Sequence, residues 1–264
     1  MNKIYMDQIQ DGIQLQKAKY EKEFESAARF SFHDTQNSVV RYVRDRRLNI
    51  ALDRLRSQLT LDISDLNALV VCGGVGGEAT FLRKAGFKKV TNSDFSENAL
   101  QVCRERDPQL GTICLNAENM DLLDESYDVV LVQDGLHHLP RPILGFNEML
   151  RVARHAVVVL EPHAGLAGNV LGREWEEDGG AINYVFRWDG HLIEQVTRSQ
   201  ILKIKATVES IRLWDHNSTI HKSVCWLGGG KLSLIAAKVI YAALKPINVF
   251  GNNFIGIVVK QRES

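Results

Sequence analysis

A doubly wound α/β sheet is the fold this sequence predicts, and three observations predict it. Short apolar runs recur between residues 68 and 161, among them ALVVC, YDVVLV and AVVVLE. Their unbroken Val and Leu content marks parallel strands buried on both faces. Segments of helical spacing alternate with these runs. A glycine-rich turn, CGGVGGEA, stands between the first run and the first helix, where an open α/β sheet binds its ligand.

Taken in order, residues 1–60 contain one glycine, Gly12, and no strand-like run. Val39, Val43, Ala51, Leu52, Leu55 and Leu59 fall at roughly helical spacing, so two or three helices are expected. Arg41, Arg44, Arg46, Arg47, Arg54 and Arg56 decorate one of them and, with Asp45 and Asp53 among them, read as a solvated face. The first strand is expected over Ala68–Cys72, with Ala79–Lys84 in the helix after the turn. Val90–Asp94 is the second strand, followed by SENALQVCRER with Ser96 as N-cap. Gly111–Leu115, Tyr127–Val132 and Ala156–Glu161 supply three more. A helix from about Pro142 joins the last two, with Ile143, Phe146, Leu150 and Ala153 on one face.

After Glu161 the alternation stops. Residues 163–200 are rich in Gly, Trp and charge and show no clear strand pattern. TVESIRLWDH then alternates like a strand, a helix is expected over Ser233–Leu244, and Phe254–Lys260 closes the chain after a Gly251-Asn252-Asn253 turn.

The 264 residues, 45% hydrophobic, suffice for one large domain or a domain with a cap. Lys plus Arg equal Asp plus Glu at 32 each, so no global field favours nucleic acid or an anionic membrane. Cys72, Cys103, Cys114 and Cys225 form no C-x-x-C pair and no metal-ligand spacing, which suits reduced thiols in the cytoplasm. The polar N-terminus does not read as a secretory signal. Leu232–Leu244 is short and carries Lys238, so it reads as a soluble amphipathic helix and not as an anchor. A cytoplasmic monomer or homodimer without metal, membrane or nucleic-acid partner is expected.

The glycine turn fits two ligand grammars. Gly74-x-Gly76-x-x-Ala79 satisfies a dinucleotide fingerprint, and the acid Asp94 ends the next strand. An S-adenosylmethionine site needs the same turn to lay methionine and ribose against bare backbone, with that acid on the ribose hydroxyls. The whole run of motifs separates them. VVCGGVGGEA, NSDFSENAL, NAENMDLLDESYDVVLVQDGLHHL and NEMLRVARHAVVVLEP, in this order over residues 68–162, resemble the class I S-adenosylmethionine-dependent methyltransferases, notably the small-molecule, ubiquinone-biosynthesis type.

That resemblance implies a Rossmann-like sheet of seven strands with the last antiparallel, residues 1–60 as a helical cap, and residues 61–264 as the cofactor-binding core. It implies that Gly73, Gly74 and Gly76, beside Cys72, approach methionine and ribose, and that Asp94 holds the ribose hydroxyls. Phe95 would pack on the adenine, Asn116, Ala117 and Glu118 would form its edge, and Gln133 would lie near the sulfonium. The sequence departs from the family's pattern in two places. Val70 and Cys72 stand where an acid and a glycine are usual, and Arg154-His155-Ala156 replaces a Pro-Gly-Gly surface turn.

Methyl transfer to an oxygen or nitrogen of a small organic substrate is the expected activity. His137 and His138, past the fourth strand, are candidate bases, and a structural role for the pair stays open. In the stretch after Glu161, placed at 163–200 as a substrate lid, Trp175, Tyr184, Arg187 and Trp188 are candidates for the pocket or for a packed lobe. Tyr20 is the candidate from the N-terminal cap. No N/D-P-P-aromatic element or Pro-Cys pair suggests nucleic-acid methylation. The altered methionine end keeps a non-methyl outcome open, such as aminocarboxypropyl transfer or cyclisation, with an NAD oxidoreductase further behind.

Overall fold

The computed structural model describes residues 11–15, 17, 18, 21, 22, 38–165, 174–178, 181–200, 205–215 and 230–261. A long helix α1 (Ser38–Gln58) leads to β1 (Asn67–Val71), α2 (Gly77–Ala85), β2 (Lys89–Asp94), α3 (Glu97–Arg106) and β3 (Gly111–Cys114). Next come β4 (Tyr127–Gln133), α4 (Pro142–Val152), β5 (Ala153–Pro162) and a hairpin of β6 (Trp175–Asp178) and β7 (Ala181–Tyr184). Helix α5 (Gly190–Gln200), β8 (Lys205–Leu213), α6 (Lys231–Leu244) and β9 (Asn253–Gln261) follow.

Seven strands form one sheet in the order β3-β2-β1-β4-β5-β9-β8. The first five are mutually parallel, and β9 runs antiparallel to both β5 and β8. The last strand of the chain is therefore the antiparallel one, as expected from the motifs.

The Val-rich runs are explained by what covers the sheet. Successive side chains alternate between faces, so Val70, Leu131, Val158 and Ile257 join one buried cluster while Val71, Val132, Val159 and Val258 join the other. Leu48, Ala51, Leu52 and Leu55 of α1 cover the first face at helical spacing, together with Ala79 and Leu82 of α2. Phe146, Met149 and Leu150 of α4 cover the second. Local signals set the ends: Ser96 Oγ accepts from Ala99 N at 3.2 Å, and Gly86 closes α2 at φ 105°.

Three expectations change. The 163–200 stretch is not without strands, since β6 and β7 pair in it. Its end, α5, is a sheet-covering helix: Ile193 is fully buried against the cluster containing Phe254 and Val258. Arg154 and His155 belong to β5, not to a surface turn, and both approach the buried Asp128, at 3.1 and 3.7 Å. A strand extended by three residues needs no glycine turn before it.

Candidate active site

The carboxyl ends of the parallel strands open on a cavity of about 720 Å³, lined from the glycine turn, the ends of β2 and β4, α1 and the start of β9. At the end of β1 the chain bends through Cys72, whose φ is 53°. Gly73 N then donates to Ser93 O at 2.8 Å. A Cβ on Gly73 would lie 2.0 Å from Asn92 Oδ1, and one on Gly76, at φ 84°, would lie 2.4 Å from Cys103 Sγ. The first glycine is required by close approach, the second also by its left-handed backbone. The buried Asn92 braces this turn by donating Nδ2 to Gly74 O at 2.8 Å. Sequence reading passed over Asn92, although an amide inside an otherwise covered strand must find a partner.

Asp94 ends β2 with Oδ2 accepting from Gly74 N at 2.9 Å and Oδ1 from Ser96 N at 3.0 Å. Each carboxylate oxygen has a further lone pair for a ligand hydroxyl. Burial pushes this carboxyl up, opposed by N–H bonds from Ser96, Gly74 and Phe95. Phe95, Asn116, Ala117 and Glu118 line the same end of the cavity. Asn116 Oδ1 already accepts from Glu118 N at 2.9 Å, and the Glu118 carboxylate accepts from Arg141 Nε at 2.9 Å and Nη2 at 2.7 Å. Glu118 thus holds the wall through Arg141.

At the end of β4, Gln133 is buried on the cavity, and its Oε1 has no hydrogen-bond partner among the described residues. Asp134 follows at φ 52°. A Cβ on Gly135 would come within 2.6 Å of Cys72 Cβ, so the turns after β1 and β4 pack against each other. Burial, then the charges of Asp94, Glu161 and Glu118, push the Cys72 thiol well up. It is a neutral wall, not a nucleophile.

Glu161, fully buried near the end of β5, organises the turn Leu136–His138. Its Oε1 accepts from Gly135 N at 2.8 Å and Leu136 N at 2.7 Å, and its Oε2 lies 2.6 Å from His137 Nδ1. An ionised carboxylate only accepts, so Nδ1 carries the proton and Nε2 is the basic nitrogen of the ring. The His138 ring lies against His137 at 4.0 Å between centroids, tilted by 42°, and both line the cavity. In the sequence Glu161 marks only a strand end. An acid closing a run covered on both faces was the signal, because it cannot be buried there unpaired.

The N-terminal part of the chain reaches this site. Ile13, Gln14 and Lys17 line the cavity, as do Val43, Arg44 and Arg47 of α1. Arg47 is buried, which corrects the expectation of a solvated arginine face at this one position; Arg41, Arg54 and Arg56 are exposed. Its Nη1 donates to Asp134 Oδ1 at 2.9 Å, its Nη2 pairs with Asp134 Oδ2, and its Nε pairs with the fully buried Asp215. Burial pulls the guanidinium down, but the two carboxylates outweigh it and push it up.

The candidate substrate residues are not brought together here. Trp188 is fully buried, edge-on to Phe146 at 5.5 Å and Phe186 at 5.1 Å, and belongs to the core under α4. Trp175 and Tyr184 pack on each other at 5.3 Å on the exposed hairpin. Neither they nor Arg187 line the cavity. Tyr20 lies outside the described residues.

A parallel sheet with an antiparallel final strand, a glycine turn after β1 and an acid ending β2 define a class I methyltransferase fold. Residues 69–160 match the family described as Methyltransferase domain. Over these residues the chain is similar to class I S-adenosylmethionine-dependent methyltransferase domains.

Among curated proteins, the chain is 30% identical over 111 residues to a demethylmenaquinone methyltransferase of Beutenbergia cavernae, covering 40% of this chain and 46% of that one. It is 31% identical over 126 residues to a phthiotriol/phenolphthiotriol dimycocerosates methyltransferase of Mycobacterium tuberculosis, covering 47% and 46%. The chain thus spans less than half the length of these relatives. In fold it is similar to magnesium protoporphyrin IX methyltransferase from Synechocystis, at TM-score 0.55 and 13% identity, over 93% of this chain and 97% of the other.

S-adenosylmethionine is the cofactor of such a domain. The residues present fit it: Asp94 keeps lone pairs toward the cavity, Gly73 admits backbone approach, and the orphan Gln133 oxygen awaits a donor.

Proposed function

We propose that the chain transfers the methyl group of S-adenosylmethionine to an oxygen or nitrogen of a small organic acceptor. The observation that carries this reading is one cavity shared by the Gly74–Asp94 unit and by His137 backed by Glu161. Bound S-adenosylmethionine would supply an electrophilic methyl group on a sulfonium. Gly73, Gly74 and Gly76 hold its methionine and ribose, Asp94 the ribose hydroxyls, Phe95 and the Asn116–Glu118 wall the adenine. Gln133 accepts a hydrogen bond at the methionine end, which offsets the missing acid at Val70. His137 Nε2 takes the acceptor's proton, and Glu161 stabilises the imidazolium that forms. The N-terminal residues and α1 act as the cap that excludes water from the reacting centre.

Product analysis tests the reaction. S-adenosylhomocysteine is the expected product, and methylthioadenosine would replace methyl transfer by aminocarboxypropyl chemistry. Asp94→Ala is expected to weaken cofactor binding by about 2 kcal/mol, since two charge-assisted hydrogen bonds are lost. Unchanged affinity by calorimetry in a folded variant would place the ribose elsewhere.

The pH dependence has a definite sign. Burial raises the Asp94 pKa in the unliganded protein, and ribose hydroxyls favour the ionised form. Affinity is therefore full above that raised pKa and declines as pH falls through it, with a proton released on binding in that window. Calorimetry in two buffers of unlike ionisation enthalpy reads that proton. An affinity flat across the acid range would contradict the assignment.

A further inference from the structure

Lys231–Phe250, comprising α6 and the turn after it, is long and apolar enough by length and composition to cross a membrane: an 18-residue window within it has a mean hydropathy of 1.4, yet only 17% of that window is buried. Ser233, Ala237 and Tyr241 form its packed side, the last two against Val39 and Val43 of α1. Opposite them, Leu232, Ile235 and Val239 fall on one stripe at helical spacing and are 72%, 57% and 63% exposed. The turn after it adds two more exposed apolar residues, Val249 at 58% and Phe250 at 54%. Leu232–Leu244 is expected as a soluble amphipathic helix and not an anchor; its apolar residues divide between the packed side and this exposed stripe.

Charge accompanies the stripe. Lys231, Lys238 and Lys245 recur every seven residues, which places them in a row along one edge of it. No Asp or Glu occurs between Asp215 and Glu263. An apolar stripe bordered by lysines alone is the pattern of a helix lying in a lipid–water interface. Crossing the bilayer is a poorer fit, because the side bearing Ala237 and Tyr241 is committed to α1. Pairing with a second copy through this face would bring two lysine rows together, and neither α6 nor its turn carries a carboxylate to answer them.

We propose that the outer face of α6 and the Val249–Phe250 turn seats the protein on an anionic lipid bilayer. Gly251 joins that turn to Asn252 and Asn253, which line the cavity, so the seated face adjoins the site. Entry of an acceptor from the bilayer would follow, and that extension alone rests on the methyl-transfer reading.

The test is co-sedimentation of the whole chain with phosphatidylcholine vesicles, with and without a quarter of phosphatidylglycerol. Binding to the anionic vesicles, weakened by salt, is expected. Ile235→Glu with Val239→Glu should lower it by about tenfold or more. Each of Lys231, Lys238 and Lys245 changed to Gln should lower it about fivefold, the equivalent of ~1 kcal/mol, on anionic vesicles only. No vesicle binding, or equal binding by the double Glu variant, would overturn the proposal. So would a dimer abolished by the same variant in sedimentation velocity without lipid binding, which would assign the face to a second copy. These exposed positions should leave S-adenosylmethionine binding by calorimetry unchanged. Failure of the wild type to bind that nucleotide would count against the methyl-transfer reading and not against the bilayer contact.

Discussion

Exchanging Arg47 for leucine is expected to destabilise the fold by about 3–5 kcal/mol, the usual consequence of leaving buried charge without its partner. Arg47 is 5% exposed and Asp215 is fully buried, so water cannot replace the guanidinium at Asp215. Asp134 would lose two donors as well, at a residue held in left-handed backbone beside the site. Arg47→Lys should recover only part of the loss, because an ammonium cannot reach both carboxylates with a planar fork. Adding Asp215→Asn to the leucine variant should recover some of it by removing one stranded charge. Urea unfolding monitored by circular dichroism measures all three. A loss under about 1 kcal/mol would mean that the triad behaves as a solvated surface pair.

Replacing His137 with alanine is expected to lower kcat by about two to four orders of magnitude, the range for loss of a positioned general base. Cofactor affinity should stay close to wild type, because the glycine turn, Asp94 and Asn92 do not depend on the imidazole. Glu161→Gln is the finer probe. An amide can still accept from Gly135 N or Leu136 N, but it cannot stabilise an imidazolium as a carboxylate does. The Gln variant should therefore fold, bind S-adenosylmethionine and turn over slowly, with its pH–rate profile displaced. Full turnover in His137→Ala would assign the proton to bulk water and leave catalysis to positioning alone.

Position by position, the described sheet agrees with what the chain pattern announced from β1 to β5, within three residues at either end. Continuous Val and Leu runs, the Ser96 cap and Pro142 at the first helical position are local chemistry, and local chemistry is visible in a linear string. The same holds for the cavity's cofactor end: Gly73, Gly74, Gly76 and Asp94 lie close in sequence around two adjacent parallel strands. The aromatic residues after Glu161 misled because an exposed ring pair, a core indole and a pocket wall have the same composition. Trp188 went to the core since Phe146 and Phe186 offered it full burial.

By itself, then, the sequence determined the order of strands and helices from β1 to β5, the glycine turn and the acid that faces it, through periodicities and turn rules that act over a few residues. The tertiary structure alone decided which charges meet. His137 and Glu161 stand 24 residues apart, and Arg47 and Asp134 stand 87 apart. The first pair is made only when sheet order brings β4 beside β5, and the second only when α1 packs on the sheet. Burial then removes water as an alternative partner, so these groups must satisfy one another, and no short-range pattern encodes that choice.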